Sequence, residues 1–261
     1  LLDDTKSDKY NYNIAICYLN TNINKTKAIP YLEILTRKPK FDPNAIAPQT
    51  TVEDTALLFS TANGNRISVT DVDAGSNAVK VTVSVLHGTL TLNGTAGLTF
   101  ADGTANGAAS VAVSGSLSAV NTALNGLSYQ PAANYDGLEA LTITSNDLGN
   151  TGTGGALEDA DTVSITVTAV NDAPTVAITS PADGAQFSSP AEITLLADAT
   201  DTDGTVSQVE FFDGATLVGT GTASPFQFVW QDASVGTHTL TAKATDDIGA
   251  TARRTLHGQE K

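Results

Sequence analysis

Oxygen-bearing side chains are the chemical stock of this chain. Three short stretches concentrate them: Asp71-Val72-Asp73, Val170-Asn171-Asp172-Ala173-Pro174 and Asp201-Thr202-Asp203-Gly204. Carboxylates one residue apart can turn toward a single ion at a strand end, and an Asn-Asp pair adds an amide carbonyl to a carboxylate. Such donors suit a hard divalent cation: calcium takes about six to eight oxygens from carboxylates, amides, backbone and water. No one stretch supplies that many, so segments far apart in the chain must converge. Each stretch also has a simpler reading, because Asn, Asp and Gly are turn formers. Acidic residues recur at matched places on both sides of 170–174, and that favours cation binding.

Other chemistries find less support. Asp201, Asp203, Gly204 and Glu210 fall at the third, fifth, sixth and twelfth positions of an EF-hand loop, but Ala199 stands at the first and the flanks alternate as strands. His87, His238 and His257 are scattered, with no His-Glu-x-x-His zinc pattern. Cys17 is the only cysteine, which leaves no disulfide framework and no cysteine-based zinc site. A Gly-x-Ser-x-Gly elbow, a Walker loop and a Gly-x-Gly-x-x-Gly turn after a strand are all missing. The sequence reads as non-catalytic.

The formal charge of the 261 residues is −15, unevenly spread. Residues 46–172 hold two Lys or Arg against twelve Asp or Glu, and 173–261 hold four against eleven, whereas 1–45 hold seven against five. An acidic β protein repels phosphate backbones, which argues against nucleic acid as a partner. Divalent cations would relieve its self-repulsion, although a solvated acidic surface would carry the same charge. No apolar run reaches the length needed to span a bilayer, so membrane insertion is not expected. Beginning at Leu1, with neither Met nor a secretory signal, the chain reads as a piece of a longer protein.

Strands must position these side chains. Aromatic residues make up only 6% and there is no Met, while Thr, Ser, Ala, Val and Gly dominate, a composition of many short strands. Period-2 alternation marks strands at 56–60, 66–70, 79–86, 89–93, 98–101, 110–114, 127–130, 140–145 and 162–170. Gly with Asn or Asp punctuates them, as at Asn63-Gly64 and Asn93-Gly94. Ser116 caps a short helix that shows Leu117, Val120 and Leu124 on one face and ends at Gly126. Pro174 interrupts any strand running through 170–174. Beyond it, strands are expected at 175–179, 192–197, 206–213, 216–220, 226–230 and 237–244. A hairpin falls at Phe211-Phe212-Asp213-Gly214, and Trp230 reads as a core residue. Residues 253–261 lack alternation, so a truncated or foreign last strand and a weak sheet edge are expected there.

Residues 1–45 differ. Ile14, Ala15, Tyr18 and Leu19 form one helical stripe and Ala28, Ile29, Leu32 and Leu35 another, closed by Pro39 and Pro43. Ala15, Tyr18, Ala28, Leu32 and Asp42-Pro43-Asn44 resemble one tetratricopeptide (TPR) hairpin over about 7–45. Such repeats bury their faces by stacking, and roughly three are needed for stability. Residues 41–49 read as a junction between unlike segments.

The order of Glu53-Asp54-Thr55, Asp71-Val-Asp73-Ala-Gly75, Gly88-Thr-Leu-Thr-Leu92, Asn134-Tyr-Asp-Gly137, Asn146-Asp-Leu-Gly149 and Val170-Asn-Asp-Ala-Pro174 resembles a cadherin-like repeat of bacterial surface adhesins over about 49–174. About 175–257 resembles a bacterial immunoglobulin-like module. These resemblances imply a mainly β fold: two tandem β-sandwich domains, cadherin-like at 46–172 and Ig-like at 173–261, behind a short N-terminal α-hairpin at 1–45. They also imply a calcium site, with Glu53 as upstream ligand, Asn171 and Asp172 as linker ligands, and Asp201, Asp203 and Asp246 from the downstream module. Asp71, Asp73 and Asp147 would repeat that arrangement upstream, without the Asn-Asp pair that should precede it.

The expected function is a non-catalytic, calcium-stiffened stalk segment of a secreted or surface-attached bacterial adhesin. Its partners would be neighbouring β-sandwich modules of the parent protein and a cell-surface or glycan ligand. Two alternatives are an accessory module of a secreted polysaccharide-degrading enzyme and a TPR-type interaction scaffold.

Overall fold

The computed structural model describes residues 40–41, 46–71, 74–149, 155–188 and 192–260, the side chains of 40–41 and 257–260 excepted. The helical hairpin expected at 7–45 and the candidate ligand Asp73 lie outside the described residues. The described chain is mainly β, and two compact units divide it between Ala169 and Val170.

The first unit contains β1 (Lys40–Phe41), β2 (Gln49–Val52), β3 (Leu57–Phe59), β4 (Val69–Thr70), β5 (Ala78–Ser84), β6 (Gly88–Thr91), β7 (Leu98–Phe100), β8 (Ser110–Ser116), helix α1 (Leu117–Leu124), β9 (Leu127–Pro131), β10 (Gly137–Asn146) and β11 (Glu158–Thr168). A six-stranded sheet runs β2-β11-β10-β5-β8-β7, a three-stranded sheet runs β3-β9-β6, and β1 pairs with β4. Only β2 on β11 is parallel; the other pairs are antiparallel. Period-2 alternation is visible in the packing. Val79, Val81 and Val83 of β5 face inward with Leu141, Ile143, Val163 and Ile165, and meet Phe59, Leu90, Leu127 and Tyr129 from the small sheet. Helix α1 adds Val120, Ala123 and Leu124 to this core, and Ser116 Oγ accepts from Ala119 N at 3.3 Å. Sequence periodicity misses β2, whose four polar or β-branched residues alternate only between half-buried and exposed positions.

The second unit contains β12 (Thr175–Ser180), β13 (Ile193–Thr200), β14 (Val206–Asp213), β15 (Thr216–Gly221), β16 (Phe226–Trp230), β17 (Thr237–Asp246) and β18 (Thr251–Glu260). Sheets β12-β13-β16 and β15-β14-β17-β18 enclose Ile193, Leu195, Ala197, Val209, Phe211, Phe226, Leu240, Ala242 and Ala244. Trp230 packs at the margin of this core.

The expectation for the tail is corrected here. Residues 251–260 form a ten-residue strand antiparallel to β17, with Thr245 opposite Thr251 and Thr237 opposite Glu260. Its sequence does not alternate because it is an edge strand held through the backbone. Arg253 lies over the Phe212 ring instead of pointing into a core, with its guanidinium 5.7 Å from the ring centroid.

Candidate metal centre

Pairing within the second unit brings three chain segments to one pole. Thr175 is opposite Thr200, so the end of 170–174 meets the end of β13. Their hydroxyls are 2.9 Å apart. Val206 is opposite Asp246, so the turn after β13 meets the end of β17. Asn171, Asp172, Asp201, Asp203 and Asp246 are neighbours for this reason, although 75 positions separate the first from the last.

Asp246 is the anchor. It is 2% exposed, and its Oδ1 accepts from the backbone N–H of Ile248 at 2.9 Å, of Ala250 at 2.8 Å and of Gly249. Its Oδ2 accepts from Asn171 Nδ2 at 2.8 Å. The Asn171 amide, helped by these backbone donors, holds the carboxyl below the usual carboxylate range against the opposing effect of burial. Asn171 Nδ2 also donates to Asp172 O at 3.0 Å, and Asp172 N donates to Asp203 Oδ2 at 3.1 Å. A chain of contacts therefore runs from Asp246 through the linker to Asp203.

Asp201 is the opposite case. Both of its carboxylate oxygens are buried without a hydrogen bond of full geometry, and the same holds for Asn171 Oδ1. Burial, reinforced by the neighbouring Asp203 carboxyl, pushes Asp201 above the usual carboxylate range against the weak pull of the Asp203 and Thr202 backbone N–H groups.

Asp247 belongs to the cluster but was not singled out in the sequence. Its Oδ1 accepts from Thr205 N at 3.0 Å and would lie 2.8 Å from a Cβ built on Gly204, with Asp201 Oδ2 3.3 Å from the same point. Gly204 is thus what lets the two carboxylates close in from either side. Asp247 directly follows Asp246, and the doubled acid was the only signal that could have drawn attention to it.

The first unit distributes its candidates differently. Asp147 is 5% exposed and sits just past β10, where its Oδ1 accepts from Gly149 N at 2.9 Å and Leu157 N at 2.7 Å. Asp71 is half-buried and its Oδ1 accepts from Ala74 N at 3.1 Å. Glu53 is 5% exposed and follows β2, and its backbone N–H donates to Thr168 O at 3.0 Å. Glu53 belongs to the first unit, whereas the linker pair and the three downstream acids all belong to the second.

Among the described residues, no three His, Cys, Asp or Glu side chains are arranged to hold a metal ion between them. A cation in the second unit would therefore depend on the Asn171 amide oxygen, backbone oxygens and water besides carboxylates. The chemistry of the donor set fits such an ion at Asp201 and Asn171. Three buried acceptor oxygens without a well-formed hydrogen bond are what a hard cation satisfies and what apolar packing does not.

No helix among the described residues is long and apolar enough to cross a membrane. Residues 174–242 match the sequence profile of the Bacterial Ig domain. Comparison with curated proteins gave no match. Among solved structures, the fibronectin(III)-like modules of Clostridium thermocellum CbhA are 29% identical over 33% of this chain and 93% of that one, with a TM-score of 0.31. An endo-β-1,4-mannanase double mutant from Cellulomonas fimi is 34% identical over 35% of this chain and 20% of its own, with a TM-score of 0.22. Mouse cadherin-23 EC22-24 is 14% identical over 86% of this chain and 66% of its own, with a TM-score of 0.35. The profile match and the seven strands in two facing sheets together make the second unit an Ig-like β-sandwich module.

Proposed function

We propose that this chain is a non-catalytic, calcium-stiffened spacer segment of a bacterial surface adhesin, working outside the cell. The Bacterial Ig domain match supports a spacer or accessory module, since domains of this kind are typically non-catalytic and usually sit on extracellular or surface proteins. The observation that carries the calcium reading is Asp201, a carboxylate whose two buried oxygens lack a hydrogen bond of full geometry, beside Asn171 Oδ1, which lacks one too. Asp201 and the Asn171 amide oxygen, completed by backbone oxygens and water, would hold the ion, Asp203 and Asp172 would line its surroundings, and Asp246 would keep Asn171 in place. Bound calcium would supply positive charge to this acidic pole and fix the 170–174 segment, which removes freedom from the chain at the entrance to the Ig-like module.

Thermal unfolding in calcium against chelator tests this, because a ligand that binds only the folded form raises stability by mass action. At a hundredfold excess over Kd the gain is about 2.7 kcal/mol. That is on the order of 10 °C for a unit of this size. The same pair of samples in small-angle scattering should show a maximum dimension that changes with chelator. An unchanged Tm in millimolar calcium would remove the calcium role. A glycan array separates the stalk from an accessory module of a polysaccharide-degrading enzyme, since specific hits would favour the latter.

A further inference from the structure

Away from the acidic pole, the second unit contains a buried histidine set between two acceptor oxygens. His238, in the first turn-proximal residues of β17, is 5% exposed. Its Nδ1 lies 2.8 Å from Asp213 Oδ2 and its Nε2 lies 2.8 Å from the backbone carbonyl of Ser234. A carbonyl oxygen can only accept, and an ionised carboxylate can only accept. With Asp213 ionised, both contacts are made together only when both ring nitrogens carry hydrogen, as in an imidazolium. Asp213 is fixed for this task, because its Oδ1 accepts from Thr239 N at 3.2 Å while Gly214 N donates to Thr239 O at 2.9 Å. The Trp230 ring stands edge-on to the imidazole, with centroids 5.0 Å apart.

We propose that His238 is a proton-operated latch. In its charged form it ties the loop 231–236, which follows β16, to the Asp213-Gly214 hairpin at the end of β14. Loss of one proton leaves a ring with a single donor, which can serve Asp213 or Ser234 but not both. The other contact then becomes two acceptors at close range, and the loop is released.

The groups around the ring on each packed element fit this reading. From β14 the charge is Asp213, and from β16 the neighbour is the neutral Trp230. The loop contributes the Ser234 carbonyl and carries Asp232, and β18 pairs its backbone at Gln259 with His238. No Lys or Arg occurs in β14, β16 or the loop 231–236 to supply the positive charge in its place, and Arg253 of β18 lies over the Phe212 ring. The direction follows from linkage: the bound proton belongs to the latched state, so latching is complete at low pH and lost as pH rises through the imidazole titration.

The test is NMR on the intact chain. Nitrogen-15 shifts of His238 should report both ring nitrogens protonated at low pH. Amide-exchange protection of residues 233–236, corrected for intrinsic rate, should fall by roughly tenfold or more across the same titration, as expected for a lost charged hydrogen bond. His238→Gln, with a single donor nitrogen beside an acceptor oxygen in place of two donor nitrogens, should make that protection low and independent of pH. Should the variant fail to fold, the wild-type titration alone still decides. A ring that stays neutral throughout, or loop amides equally protected on both sides of the titration, would overturn the latch.

Discussion

Asp201 and Asp246 share one turn cluster and respond to it with opposite sign. The Asp246 carboxylate is preferred by the fold, since four donors converge on it and its carboxyl is held low. Its contribution is in full above the ordinary carboxylate value and is lost as pH falls through the lowered folded value. Asn171→Ala removes the donor that matters most, so the acid-unfolding midpoint followed by circular dichroism should move to higher pH. The fold disfavours the charged form of Asp201, whose folded value is raised. Without a cation, its burden is lifted as pH falls. Asp201→Asn should therefore raise Tm in chelator and abolish the calcium response. A variant that lowers Tm in chelator while keeping that response would show that Asp201 is a structural acceptor only. Asn171, Asp172, Asp201 and Asp203 could be singled out from the sequence by residue type and spacing. The saturated state of Asp246 and the approach of Asp247 across Gly204 could not, because both depend on backbone amides and on a neighbour about forty residues away in the chain.

Strand ends and tight approaches decide which elements tolerate change. Gly88 opens β6 with φ of +140°, and a Cβ there would lie 2.2 Å from Gln130 O and 2.8 Å from the Tyr129 ring. Gly88→Ala should cost about 2–4 kcal/mol through strain and overpacking together, read from chemical denaturation. Gly64, with φ of +72° and open space around it, lacks the steric part of that cost. The helix was legible because capping and a three-to-four residue spacing are local signals, and Ser116 caps it as the sequence expects. Strand β18 was not, because an edge strand takes its partner from the backbone of β17 and needs no apolar face of its own. Strand β2 was missed for a similar reason: its parallel partner β11 lies more than a hundred residues on.

At the scale of the molecule, each unit has its own apolar core, one built on Val79, Leu141 and Ile165 and the other on Ile193, Leu195 and Phe211. Leu141 and Leu195 are 0% and 1% exposed. Truncating either to Ala should cost about 2–5 kcal/mol. Calorimetry should then show one transition lowered in Leu141→Ala and a different one lowered in Leu195→Ala; a single transition shifted equally by both would mean the units melt as one. The sequence by itself determined the strand-rich class, most strand positions, the capped helix and the donor types of the acidic segments, because alternation, capping and turn chemistry act over a few residues. Tertiary structure alone decided that Asn171, Asp201, Asp203 and Asp246 share one pole, that Asp246 is saturated while Asp201 is not, and that His238 faces two acceptors. Those facts follow from sheet register and burial, which join positions that nothing in the local sequence connects.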